Sequence, residues 1–301
     1  MEKEFAQQTW DEAVEDDLRQ IVRLAVREDL DRQQDWTTLA LTSLGQVGSA
    51  AVVAREPGTV CGLAAARVAV SEMDTRVQWR DESHDGEPIL SGQTVAEMSG
   101  PTNELLVVER LILNVLGRLS GVATLTQQFV EAAAGARVYD TRKTTPGWRR
   151  LEKYAVRCGG GWNHRGGLFD AILIKDNHLA AGPPWQPADA VVRSREFLRG
   201  APVDRPTDDW IVEVEVDTLA QLQNALSAAP DIVLLDNMSL DELRTAVQMR
   251  DAAQVDCELE ASGGVTLATI GGIAGTGVER ISAGALTHSA VGLDFGLDWR
   301  L

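Results

Sequence analysis

IVEVEVDTLAQLQNALSAAPDIVLLDNMSLDELRTAVQMRDAAQVDCELEAS, residues 211–262, is the stretch on which the fold turns. It holds three β-rich runs, IVEVE, IVLLD and CELE, which end at Glu215, Asp236 and Glu260. Between them TLAQLQNALSAA and SLDELRTAVQMR repeat their apolar residues at helical spacing. The same rhythm extends outward, through RVYD ending at Asp140 and AILIK ending at Lys175 on one side and RIS ending at Ser282 on the other. The last three intervals are 21, 24 and 22 residues. Strands alternating with helices predict βα units and a parallel sheet covered on both faces. Several such units in one row favour a barrel over an open sheet. In such folds ligands bind at the carboxyl ends of the strands. Lys175, Glu215, Asp236, Ser262 and Ser282 would converge there, although Asp and Ser at such positions also serve as helix N-caps.

Beyond the repeat the pattern changes. Residues 9–28 place Trp10, Ala13, Val14, Leu18, Ile21, Val22 and Ala25 on one helical face. Between 48 and 100, short β-rich pieces (Ala50–Ala54, Val77–Trp79, Thr94–Met98) are separated by the turns Pro57-Gly58, Asp85-Gly86 and Ser91-Gly92, which predicts a small sheet. Gly100-Pro101 precedes a long helix that Thr102 or Asn103 can cap. The tail places Leu293, Phe295, Leu297, Trp299 and Leu301 at period two, a half-buried strand expected to join the N-terminal sheet.

The 301 residues suit one large or two ordinary domains, and 44% hydrophobic residues can fill a core. No apolar run approaches the ~18–20 residues of a membrane span. The acidic start MEKEFAQQTWDEAVEDDL has no apolar region of a signal or transit peptide. Cys61, Cys158 and Cys257 are isolated, which suggests a reducing, cytoplasmic setting. The net charge of −17 makes nucleic acid and anionic membrane poor partners. Yet residues 137–175 carry nine Lys and Arg against three acids. A cationic island in an acidic chain points either to a small anionic ligand or to a self-paired surface patch.

Chemistry concentrates at the strand ends. Glu260-Ala-Ser-Gly263-Gly264 and Ser282-Ala283-Gly284-Ala285 are glycine-containing turns after consecutive late strands, the usual layout of a barrel phosphate site. Glu215 and Asp236 can bind ribose hydroxyls, hold Mg2+ carried by a pyrophosphate, or stabilise a cationic sugar. Arg142 and Lys143 follow Asp140, and an arginine fork matches a carboxylate. Cys158-Gly-Gly-Gly-Trp-Asn-His164-Arg165 is a glycine-rich loop closed by two basic residues, of which His164 could equally be structural. Zinc, serine-triad and GxGxxG patterns are absent.

DTRKTTPGWRRLEKYAVRCGGGWNHRGGLFDAILIKDNHL (140–179) resembles the core signature of quinolinate phosphoribosyltransferases. So do 109–124, 211–222, 231–243, 259–267 and 281–299, in order; 28–98 is a weaker likeness. Trp148, Trp162, Gly117 and Ala283 stand where the family often has other residues. The resemblance implies a mixed α/β N-terminal sandwich domain (1–118, joined by the tail 289–301) and an incomplete, seven-stranded parallel α/β barrel (119–288). It implies a homodimer or a larger dimer-based assembly with sites at the subunit interface. Arg110 of the neighbour, Thr141, Arg142, Lys143, His164, Arg165 and Lys175 would hold quinolinate. Glu215, Asp236, Ser262, Gly263, Gly264, Ala283, Gly284 and Ala285 would hold phosphoribosyl pyrophosphate, with His288 near the 5'-phosphate. Mg2+ would ride on the pyrophosphate, within possible reach of Glu215 and Asp236, and Lys143, Lys175, Glu215 and Asp236 would carry the catalysis. The implied products are nicotinate mononucleotide, pyrophosphate and CO2, in NAD biosynthesis. Alternatives are transfer to another aromatic acid or base on the same fold, and a barrel that only binds a phosphosugar.

Overall fold

The computed structural model describes residues 3–43, 45–183, 185–202 and 206–300. Its strands, in chain order, are β1 Val47–Ala54, β2 Gly58–Thr59, β3 Gln78–Asp81, β4 Pro88–Ile89, β5 Thr94–Pro101, β6 Arg137–Tyr139, β7 Ile172–Ile174, β8 Val212–Val216, β9 Ile232–Asp236, β10 Glu258–Ser262, β11 Arg280–Ser282 and β12 Phe295–Arg300. Two compact units result. One comprises Met1–Gln7, Gln128–Lys143 and Gly161–Ala285; the other Gln8–Gln127, Thr144–Gly160 and Leu286–Leu301.

The second unit carries an antiparallel sheet in the order β12-β1-β5-β3. The tail strand pairs with β1 from Ala54↔Phe295 to Ser49↔Arg300. Its route runs along the helix Thr102–Ala132, where Gly117 O accepts the Leu293 N–H at 2.9 Å. A Cβ at Gly121 would stand 2.1 Å from Val291 O, so a side chain there would displace the tail. Val52, Val95, Met98, Leu105, Ile112, Leu116 and Phe295 belong to one apolar core. The helix Glu12–Leu30 begins at Asp11, whose carboxylate accepts the Val14 N–H, and buries Val14, Leu18 and Val22.

The first unit is the α/β barrel. Six parallel strands lie in the order β6-β11-β10-β9-β8-β7. The seventh position expected from the resemblance is a single bridge, Tyr139↔Trp162, beside β6. The helices Leu219–Leu226 and Leu240–Ala253 open on capping boxes, Thr218 with Gln221 and Ser239 with Glu242. Side chains alternate along each strand. On β8, Val212, Val214 and Val216 are buried on the helix-covered face, so Glu213 and Glu215 share the barrel face. The run CELE does not end its strand: β10 continues to Ser262, in register with Asp236, and Glu260 is fully buried below the mouth. Among the described residues no helix is long and apolar enough to cross a membrane, and all three cysteines are free.

Candidate active site

A cavity of about 370 Å3 opens at the carboxyl ends of the barrel strands. Lys175 follows β7, while Glu215, Asp236, Ser262 and Ser282 sit at or near the ends of β8 to β11, and all five line it. Thr141, Arg142 and Lys143 line it from the segment after β6, and His164 and Arg165 from the loop beside that strand. Asp140 joins these two basic segments: its buried carboxylate accepts the His164 backbone N–H at 2.9 Å and the Asn163 side-chain amide at 2.7 Å. In sequence Asp140 shows only as a strand end.

The charges are unevenly satisfied. Lys175 Nζ pairs with Glu215. Burial raises the proton affinity of the Glu215 carboxyl, Lys175 opposes that, and Asp236 adds to it. Burial first, and Arg142 second, disfavour the charged form of Arg165. Arg142 Nε is buried and has no hydrogen-bond partner among the described residues. A buried N–H donor of this kind costs about 1–3 kcal/mol unless a ligand accepts from it. Adjacent guanidinium groups with an unmet donor therefore mark the wall of an anion site.

On the far side of the mouth, Asn237 has a left-handed backbone (φ 55°), donates its backbone N–H to Ser262 O at 2.9 Å and its side-chain amide to Asp236 at 2.6 Å. Gly263 has φ +94°, and a Cβ there would lie 2.3 Å from Asn237 Oδ1. Gly264 follows at φ +58° with open space beside it. Ala283, Gly284 and Ala285 form the turn after β11. These five turn residues do not line the cavity itself. Arg110 and His288, both exposed, belong to the other compact unit and do not line it either.

Beneath the cavity lies a charged layer that no local sequence pattern announces as a whole. Arg280, fully buried, donates to Glu260 at 3.1 Å, Glu258 at 2.9 Å and Glu4 at 3.2 Å, and stands 3.9 Å over the Tyr139 ring. Glu213 is fully buried, and burial pushes its carboxyl up to about 7. The available signal was the alternation V-E-V-E-V, which sends a second glutamate to the same face as Glu215. The N-terminal segment was missed altogether: Phe5 stacks on His164 at 4.3 Å, and Gln7 exchanges hydrogen bonds with Asn163.

Residues 122–298 match the quinolinate phosphoribosyl transferase C-terminal domain, and residues 35–120 match the N-terminal domain of the same family. The chain belongs to the quinolinate phosphoribosyltransferase family. A relative from Mycobacterium leprae, named nicotinate-nucleotide pyrophosphorylase [carboxylating], is 42% identical over 94% of this chain and 97% of its own. One from Bacillus subtilis, bearing the same name as probable, is 40% identical over 88% of this chain and 89% of its own. The nicotinate-nucleotide pyrophosphorylase structure from Francisella tularensis superimposes with a TM-score of 0.87 at 34% identity, covering 98% of this chain and 100% of that one. Family membership agrees with the fold read from the βα rhythm.

Proposed function

We propose that the chain transfers a phosphoribosyl group from phosphoribosyl pyrophosphate to quinolinate and releases pyrophosphate and CO2, giving nicotinate mononucleotide for NAD biosynthesis. The observation that carries this reading is one cavity walled by Arg142, Lys143, Arg165 and Lys175, with Glu215 and Asp236 at its mouth. Four cations match the two carboxylates of quinolinate better than the single one of nicotinate. Thr141 and His164 complete that wall. The turns Ser262 to Gly264 and Ala283 to Ala285 offer backbone N–H groups to the 5'-phosphate.

The chemistry follows from this placement. The pyridine nitrogen forms a bond to ribose C1 as the bond from C1 to pyrophosphate breaks, the electron pair leaving with pyrophosphate. Glu215 and Asp236 face the positive charge that develops on the sugar. Once the ring nitrogen is cationic, the bond from C2 to its carboxylate breaks, the pair stays on C2 beside N+, CO2 departs, and C2 takes a proton. The cationic wall mainly positions two anions that would otherwise repel each other. Glu215 and Asp236 are hard oxygen donors on neighbouring strands, which suits Mg2+. That ion would supply charge neutralisation for the departing pyrophosphate.

The proposal extends to assembly. Arg110 is exposed on the long helix, and we place it in the neighbouring subunit's site within a homodimer or larger assembly. Mixing inactive Arg110→Ala with inactive Lys143→Ala should then restore activity through hybrid dimers, and a fully active dilute monomer would contradict it. Three free thiols fit a cytoplasmic setting. The substrate assignment is tested by consumption of quinolinate with phosphoribosyl pyrophosphate and Mg2+ supplied singly and together. Consumption is expected only when both are present; equal turnover of nicotinate would favour the alternative acceptor.

A further inference from the structure

His164 is held on three sides. Phe5 covers its ring face at 4.3 Å. Its Nδ1 accepts the Arg165 backbone N–H at 2.8 Å. Its Nε2 stands 3.1 Å from Glu213 Oε2 and 3.5 Å from Glu260 Oε1. A ring nitrogen that accepts a hydrogen bond carries no proton, so the ring proton belongs on Nε2, facing the two glutamates. Glu260 is already engaged, since its other oxygen takes the Arg280 Nε–H at 3.1 Å. Glu213 has no such second partner; its two oxygens and Glu260 Oε1 are all buried without a hydrogen bond among the described residues, and the nearer approach to Nε2 is that of Glu213 Oε2.

A wholly buried carboxyl is costly, and an apolar residue would pack in its place at less expense. Something in the site must therefore depend on Glu213. We propose that Glu213 is a positioning residue for the acceptor: by holding His164 as the Nε2–H tautomer it leaves Nδ1 to take the Arg165 N–H, and so fixes where the Arg165 guanidinium meets a substrate carboxylate. The remainder of that loop is closed independently, since Asp170 accepts the N–H groups of Gly166 at 2.6 Å and Gly167 at 3.0 Å. The loop is thus pinned at its start through Glu213 and His164, and at its end through Asp170. A carboxyl, protonated or not, and an amide can each accept from Nε2–H, whereas an alkyl group cannot. The proposal rests on the reading of the cavity as the acceptor site.

The test compares the full-length protein with Glu213→Gln and Glu213→Leu. Steady-state kinetics should show Glu213→Leu raising the KM for quinolinate about tenfold to a hundredfold, the worth of one charged hydrogen bond between a misplaced Arg165 guanidinium and the substrate carboxylate. Its kcat and its KM for phosphoribosyl pyrophosphate should stay within about threefold, and Glu213→Gln should keep most of the quinolinate affinity. In histidine labelled with 15N, the His164 signals, assigned by their loss in His164→Gln, should report neutral Nε2–H in the wild type and in Glu213→Gln. In Glu213→Leu they should move toward Nδ1–H. A wild-type ring protonated on Nδ1 would overturn the proposal, and that measurement stands even if Glu213→Leu fails to fold. So would an equal rise in both KM values, or a divalent ion recovered stoichiometrically between His164, Glu213 and Glu260. A wild type that leaves quinolinate untouched would instead remove the acceptor assignment, and the 15N spectra would still judge how the ring is held.

Discussion

The two units fill their interiors in different proportions of apolar and charged side chains. In the antiparallel unit Val52, Val95, Met98, Leu105, Ile112 and Leu116 pack together with negligible exposure, while its buried charges Glu152 and Lys153 sit on the helix Arg149–Cys158, where Glu152 pairs with Arg118. In the barrel Val212, Val214, Val233, Leu235 and Leu259 are buried on the outer face of the strands, and a smaller apolar group, Phe5, Tyr139, Ile211 and Ile232, is buried with the charges. The inside holds Glu213, Glu260, Arg280 and His164. Buried charges of this kind add little net stability and are costly to unpair. The barrel interior is therefore better understood as a scaffold for the charges at the mouth than as a source of folding energy.

That contrast can be broken from several directions. Arg280→Ala would strip buried Glu260 of its guanidinium and leave Glu4 and Glu258 to Arg137, and should destabilise the protein by about 3–5 kcal/mol in urea unfolding; a loss under about 1 kcal/mol would mean the network is solvated. Arg165→Ala should weaken quinolinate binding by roughly 2–5 kcal/mol and leave phosphoribosyl pyrophosphate affinity nearly unchanged in titration calorimetry. The reverse pattern would show the division of the site to be wrong. Lys175→Ala should lower turnover about a hundredfold while its effect on stability stays under about 1 kcal/mol, because that ion pair is partly exposed. The smallest effect concerns pH. Folding raises the Glu213 carboxyl from 4.5 to about 7. The stability this lends the folded state is full below the unfolded value and is lost as pH rises through about 7. Between pH 5 and 8 the wild type should therefore lose roughly 1–3 kcal/mol relative to Glu213→Gln. Parallel curves would contradict the shift.

What the sequence reveals about this fold follows from where its signals are local. The spacing of IVEVE, IVLLD and RIS, and the polar residue near each end, announce a barrel mouth because a strand and its following helix are set by neighbouring residues. The tail strand is legible for the same reason, since period two shows in Leu293, Phe295, Leu297 and Trp299 alone; Leu301 lies outside the described residues. The layer below the mouth is not. Glu4 lies 276 residues from Arg280 in the chain, yet the two pair at 3.2 Å, and nothing local marks Lys3 to Gln7 as part of the barrel. Glu260 was read as a strand end because CELE looks complete, while Ala261 and Ser262 continue the ladder beside β9. The strand in seventh position reduces to one bridge at Trp162, since a glycine-rich approach, Gly159 to Gly161, offers little side-chain packing to extend it.

The most direct measurement follows the carbon that leaves. Quinolinate labelled with 13C in its 2-carboxylate should, with phosphoribosyl pyrophosphate and Mg2+, release one labelled CO2 for each pyrophosphate formed. The nucleotide product should contain no label. Pyrophosphate release with the label retained in the product, or release from nicotinate at an equal rate, would contradict a cavity built for two carboxylates.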